Sequence, residues 1–323
     1  MAFLKPQTTP LVEIYHNLFN IKNIRVWVKL DYKNHPEIQG NKLHKLRLNL
    51  AYLKQQQKTS ILTFGGAYSN HIAATAAAGK ELKIEAIGVI RGDELKNQYD
   101  KWSPTLKLAH KNGMTFKFVS RSEYRLRHNQ DYLTYLKTQY PNSYILPEGG
   151  TNLYAIEGFK FLMDDIESQN PNWTHLYTAV GTGGTLAGIS YYSTPTVNQL
   201  SSPQISRNII GVSTIKNGQY LEKDIEQYIN QIYEKEHGLV LKDSSVFNWR
   251  LLTDYHHGGY AQQTPELKAF INEFESTHEI PLDSVYTSKT FYAFFKELTI
   301  GKVPENSQVI LYHSGGLQGN QKL

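Results

Sequence analysis

Eight short runs rich in β-branched and aromatic residues recur along the chain: "RVWVKL" (25–30), "SILTFG" (60–65), "EAIGVI" (85–90), "TFKFV" (115–119), "SYILPEG" (143–149), "HLYTAV" (175–180), "NIIGVS" (208–213) and "QVILYH" (308–313). Most are separated by segments with apolar residues three and four apart, as at Leu43, Leu46, Leu50 and Leu53, the period of a helix with one buried face. This alternation restricts the chain more than any other feature. Repeated strand-helix-strand units call for parallel sheets with helices on both faces. The expected fold is therefore α/β, with two three-layer αβα domains and mostly parallel sheets. A length of 323 residues suits two domains. No repeat of fixed period and no low-complexity linker separates them. They are expected to interleave, with residues 1–44 and 161–323 forming a larger domain and 45–160 a smaller inserted one.

Composition removes several functional classes. There are no cysteines, which excludes disulfides, thiolate catalysis and zinc–cysteine sites. The start "MAFLKPQTTP" has no apolar stretch suited to a signal peptide, and "IAATAAAG" is too short to span a membrane. A cytoplasmic protein without membrane contact is expected. The net charge of +5 and pI near 9.0 are spread over helix faces. The densest basic patch, "YRLRH" at 124–128, is too short for the stripe of a nucleic-acid binder, so a small anionic ligand is the better match. His256 and His257 lack further ligands at recognisable spacing, and no metal site is expected.

In such folds ligands sit beyond the carboxyl ends of strands, where helix N-termini present free N–H groups. "VGTGGTLAG" (180–188) directly follows a strand. Gly181, Gly183 and Gly184 allow tight turning and close approach, and Thr182 and Thr185 add hydroxyls, as a phosphate monoester requires. A P-loop would need Gly-Lys-Ser/Thr at its end, and the dinucleotide pattern would need glycine where Leu186 stands. The bland alternative is a turn that packs helix on strand. "FGGAYSNHIAATAAAG" (64–79) reads as a strand ending at Phe64, two glycines, and an alanine-rich helix capped by Ser69 or Asn70. Ordinary capping uses one side chain, whereas Tyr68, Ser69, Asn70 and His71 offer four. "LYHSGGLQGN" (311–320) is weaker, and His313 also reads as a satisfied buried histidine.

A cradle for a single phosphate suggests pyridoxal 5'-phosphate, which also needs one lysine and one group facing its ring nitrogen. Lys42 follows Gly40-Asn41 at a helix start, where the positive helix end favours the uncharged amine. Lys45 and Arg47, further along that helix, read as solvated charges.

"GNKLHKL", "GGAYSNHIAATAA", "GTGGTLAG", "GGYA", "VYTSK" and "HSGG" together resemble the 1-aminocyclopropane-1-carboxylate deaminase / D-cysteine desulfhydrase family, in order and over nearly the whole chain. The resemblance implies the fold type II architecture of pyridoxal-phosphate enzymes and a homodimer. It makes Lys42 the Schiff-base lysine and the base for the α-proton, and Asn70 a partner of the cofactor ring oxygen. Ser69, with Asn70 and His71, would hold the carboxylate of a small amino-acid substrate. Tyr260 and Tyr286 fall at the family's active-site tyrosines; by themselves both read as core aromatics. Gln39 and His44 depart from the common pattern and are expected to reshape the site mouth.

His71, Thr287 and Ser314 stand nearer the desulfhydrase branch than the deaminase branch. A hydroxyl such as Thr287 or Ser314 facing the ring nitrogen leaves it mostly neutral, whereas a carboxylate keeps it protonated. The milder electron sink favours α,β-elimination of D-cysteine over opening of a cyclopropane. Rivals are 1-aminocyclopropane-1-carboxylate deamination, a serine/threonine dehydratase or racemase, and a phosphate-ligand binding module without catalysis.

Overall fold

The computed structural model describes residues 7–193, 206–241 and 243–320. Among these residues all eight expected strands are present, with two additional short ones. In chain order they are β1 (Leu11–Ile14), β2 (Arg25–Lys29), β3 (Ser60–Gly66), β4 (Glu85–Arg91), β5 (Thr115–Val119), β6 (Ser143–Leu146), β7 (His175–Val180), β8 (Asn208–Ser213), β9 (Trp249–Leu252) and β10 (Gln308–Tyr312). They form a six-stranded sheet ordered β1-β2-β10-β7-β8-β9 and a four-stranded sheet ordered β5-β4-β3-β6. Every pairing is parallel except β1 with β2. β1 and β9, the strands that the sequence pattern missed, are four residues each and close the two edges of the larger sheet.

Side chains alternate between the two faces of each sheet, and each face is covered. In the larger sheet Leu176, Ile209 and Ile310 pack into one apolar cluster, while Tyr177, Ile210 and Val309 pack into the other. In the smaller sheet Ile61, Ala86 and Ile90 face one cluster, and Leu62, Ile87 and Val89 face the opposite one. Four clusters on two sheets make two three-layer sandwiches, as the alternation predicts.

The helix Asn41–Gln55 links the two. Leu43, Leu46, Leu50 and Leu53 are buried in the core of the smaller sheet. Its first turn is fixed to the larger one instead: Asn41 N–H donates to the Ser314 carbonyl at 3.2 Å, and the Asn41 amide donates to Thr185 Oγ1 at 2.9 Å. Gly40, which opens the helix, has φ +59°, and a Cβ there would lie 2.0 Å from the Ser314 oxygen. Only glycine allows this approach.

Candidate active site

A cavity of about 240 Å3 opens where the carboxyl ends of β3, β7 and β10 meet the amino ends of the helices that follow them. Lys42, Ser69, Asn70, His71, Gly181, Thr182, Gly183, Thr185, Tyr260, Tyr286 and Ser314 all line it. The tertiary fold thus gathers eleven expected site residues from six separate stretches of sequence.

Lys42 projects from the first turn of its helix. Its Nζ donates to Asn41 Oδ1 at 2.8 Å and lies 5.8 Å from the Tyr286 ring centroid. Burial pushes its pKa down to about 8, against the opposing pull of Asp283. An amine with that pKa is partly uncharged near neutrality, as a nucleophile or base requires. Tyr286 and Tyr260 meet edge to face, with centroids 6.2 Å apart. The Tyr260 hydroxyl donates to the Tyr68 carbonyl at 2.9 Å. Burial raises both phenols, Tyr260 to about 12, so both keep their protons.

At the amino end of the helix Asn70–Leu82, the Ser69 hydroxyl caps Ile72 N–H at 3.4 Å. β3 continues through Gly65 and Gly66 rather than stopping at Phe64. A Cβ on Gly65 would lie 2.4 Å from Ile72, so this turn also requires glycine. His71 is 1 % exposed. The Thr63 hydroxyl donates to the Leu146 carbonyl at 3.0 Å, leaving its lone pair for His71 Nε2–H at 2.8 Å. Burial, with Lys42 and Lys45 nearby, drives the His71 pKa well below the usual range. The ring is neutral, and its Nδ1 is a buried acceptor without a partner among the described residues.

The glycine turn starts the helix Gly184–Ser193 directly after β7. Gly183 has φ +79°, and a Cβ on Gly181 would lie 3.2 Å from the Tyr286 ring. Gly184 lies just behind the wall, where a Cβ would stand 2.4 Å from Thr151.

Four expectations need correction. Lys45 is not a solvated charge: it is 3 % exposed, lines the cavity, and donates to Thr151 Oγ1 at 2.9 Å, the Gly149 carbonyl at 3.1 Å and Thr182 Oγ1 at 3.4 Å. It stands three residues after Lys42, hence on the same helix face, and that spacing was the signal available in the sequence. Arg47 is half-buried, and its Nε has no partner among the described residues. Thr287 does not reach the cavity. It is fully buried and its hydroxyl bonds to Asp283 Oδ1 at 3.0 Å. Gln39 and His44 do not shape the mouth either. The Gln39 side chain bonds to Leu317 N–H and the Pro36 carbonyl, and His44 Nε2 faces Asp31 at 2.9 Å on the buried side of the helix. His313 is the satisfied buried histidine that the sequence allowed, bonded to the Pro281 carbonyl at 2.7 Å.

Residues that sequence reading missed complete the site. Asp283 accepts from the backbone N–H groups of Val285, Tyr286 and Thr287, which fixes Tyr286 at the start of the helix Thr287–Thr299. Lys289, one turn into that helix, donates to the carbonyls of Gly259 at 2.7 Å and His256 at 2.8 Å, holding the loop that carries Tyr260. Arg91, Arg127, Glu148 and Tyr220 also line the wall.

The donor set suits pyridoxal phosphate. A glycine turn at a helix start and a buried lysine bonded to Thr182 fit its phosphate, and a lysine of depressed pKa fits its aldehyde. The chain belongs to the family of pyridoxal-phosphate dependent enzymes, whose pattern matches residues 3–315. Among its relatives is the bifunctional D-cysteine desulfhydrase/1-aminocyclopropane-1-carboxylate deaminase of Arabidopsis thaliana, 27% identical over 91% of this chain and 73% of that protein. The D-cysteine desulfhydrase of Yersinia enterocolitica is 24% identical over 95% of this chain and 91% of its own length. Among solved structures, an ACC deaminase homologue superimposes with a TM-score of 0.81 at 25% identity, covering 98% of this chain and 92% of that one. The fold and family expected from the sequence are both met.

Proposed function

We propose that this enzyme catalyses α,β-elimination on a small amino acid, with D-cysteine giving pyruvate, ammonia and hydrogen sulfide. One observation carries the choice of elimination. Of the two hydroxyl residues expected to face the ring nitrogen, only Ser314 lines the cavity, and among the described residues no free carboxylate lines it. The single acid in the wall, Glu148, has both oxygens engaged, by Tyr124 at 2.5 Å and Arg127 at 2.6 Å. A hydroxyl partner favours the milder sink under which a β-leaving group departs readily.

Bound pyridoxal phosphate supplies the electron sink that acidifies the α-proton. The chain supplies the rest. Thr182, Thr185, Lys45 and the N–H groups of the glycine turn hold the phosphate. Ser69, Asn70 and the amino end of their helix orient the substrate carboxylate. His71 offers an acceptor at Nδ1, which suits a substrate proton better than a carboxylate. Lys42 Nζ takes the α-proton, and Tyr286 or Tyr260, each still carrying its phenolic proton, gives one to the departing sulfur.

This reading also carries a homodimer, a cytoplasmic location, and two interleaved domains at the boundaries given above. The sheet order, which leaves the larger sheet for four strands and returns to it, supports the interleaving.

The test measures sulfide and pyruvate from D-cysteine beside ammonia from 1-aminocyclopropane-1-carboxylate, for the native enzyme and Ser314→Asp. Elimination in the native enzyme, weakened relative to ring opening in the variant, is expected. Ring opening without sulfide release would overturn the reading in favour of the deaminase.

A further inference from the structure

Four cations line the cavity, and three have partners. Lys42 bonds to Asn41, and Lys45 donates to three oxygens. Arg127 is paired with Glu148 at 2.6 Å and also donates to the Tyr124 carbonyl. Arg91 has neither a carboxylate nor a hydrogen-bond acceptor among the described residues. Glu148, the carboxylate in the wall, is bonded to Tyr124 and Arg127 and not to Arg91.

The position of Arg91 is set by the fold. It ends β4, beside the end of β3, with register Gly66↔Arg91. Its Nη2 stands 3.6 Å from where a Gly66 Cβ would lie, three residues before the Ser69 cap. The Tyr124 ring lies 5.8 Å from its guanidinium carbon and steadies it. Its charge also reaches Tyr260 across the cavity. A solvent-exposed guanidinium thus stands at the lip, beside the pole that would take the substrate's α-carboxylate.

We propose that Arg91 is a specificity residue that binds a second anionic group of the substrate, so that the preferred amino acid carries an acidic substituent beyond its α-carboxylate. The inference rests on the cavity being an amino-acid site, and it names the substrate class. A guanidinium presents its N–H donors in a plane that matches a carboxylate or sulfonate. D-Cysteine, with a short uncharged thiol, leaves that fork without a partner and is then a minimal substrate.

Aspartate and asparagine are nearly isosteric and differ in this one charge, so they make the probe. Each enantiomer is titrated into the holoenzyme and binding is followed by the cofactor's absorbance. Aspartate should bind roughly tenfold or more tightly than asparagine of the same hand, the gain expected of a charge-assisted hydrogen bond. In Arg91→Gln the ratio should collapse toward one, with Arg91→Lys intermediate. Arg121→Gln, at an exposed residue that does not line the cavity, should keep the native ratio. A native ratio near one, or a ratio preserved in Arg91→Gln, overturns the proposal. If the absorbance answers asparagine and D-cysteine without favouring aspartate, only the role of Arg91 fails. If it answers no amino acid, the amino-acid site itself fails.

Discussion

A lysine becomes reactive here through where its amine is placed rather than through its neighbours in sequence. Lys42, Lys45 and Arg47 share one helix, yet the Lys42 amine is held by a single bond, whereas Lys45, also in the cavity wall, donates to three oxygens. The pKa of about 8 has a consequence for stability. Between pH 8 and the ordinary lysine value near 10.5, the unfolded chain keeps a proton that the native state has released, so native stability rises with pH across that window. Urea unfolding of cofactor-free protein should show a higher midpoint at pH 9.5 than at pH 8. Lys42→Met should flatten the rise without abolishing it, because burial also pushes Lys45 well below the ordinary lysine value and Lys289 down to about 8. An equal rise in native protein and variant would mean that Lys42 is not depressed. The buried tyrosines act in the opposite direction from their ordinary value of 10.0 upward, where the unfolded chain releases protons that the native phenols keep, so the lysine effect is read below that pH.

Among the elements, the first turn of the lysine helix is the most constrained. Gly40 combines a left-handed φ with contact against the backbone of Ser314 and Gly315, and no rotamer change relieves a Cβ that meets backbone atoms. Gly40→Ala should cost roughly 3 kcal/mol or more, through strain and displacement of the turn. It should also weaken cofactor retention, because Lys42 and the Asn41–Thr185 bond lie in that turn. Denaturation and absorbance together check this; a variant with native midpoint and native spectrum would show that the turn can relax. A different constraint acts at the helix that follows Tyr286. The N–H groups of Val285, Tyr286 and Thr287, at the turn into that helix, converge on the Asp283 carboxylate, so the placement of Tyr286 follows from this side-chain-to-backbone turn.

For the molecule as a whole, the cavity couples the two sheets. Lys45 and Ser69 belong to segments packed on the smaller sheet, and the glycine turn, Tyr286 and Ser314 to segments of the larger one. A ligand contacting both stabilises them jointly. Pyridoxal phosphate at 100 times its dissociation constant should add about 2.7 kcal/mol to the stability of the cofactor-free protein. Lys45→Met should reduce that gain by weakening affinity, read as a smaller rise in Tm at equal cofactor concentration. A gain unchanged by the substitution would remove Lys45 from the cofactor site.

The sequence by itself determined the class of fold and most of the site. Period and turn residues are local, so eight of the strands, the Ser69 cap and the glycine turn were legible from short windows of residues. β1 and β9 were not: "LVEI" and "WRLL" carry little strand pattern of their own, and pairing with a neighbouring strand sets them in the sheet. The same limit hid the partners of the charges. Lys45, Thr287 and His44 have sequence neighbours like those of any surface helix, and their burial depends on Thr151, Asp283 and Asp31, which lie 106, 4 and 13 residues away. Tyr260 and Tyr286 read as core aromatics until packing set them edge to face over the lysine. Which side of a helix faces a ligand, and which cation is left without a counter-charge, are set by contacts between distant segments, and only the tertiary structure decides them.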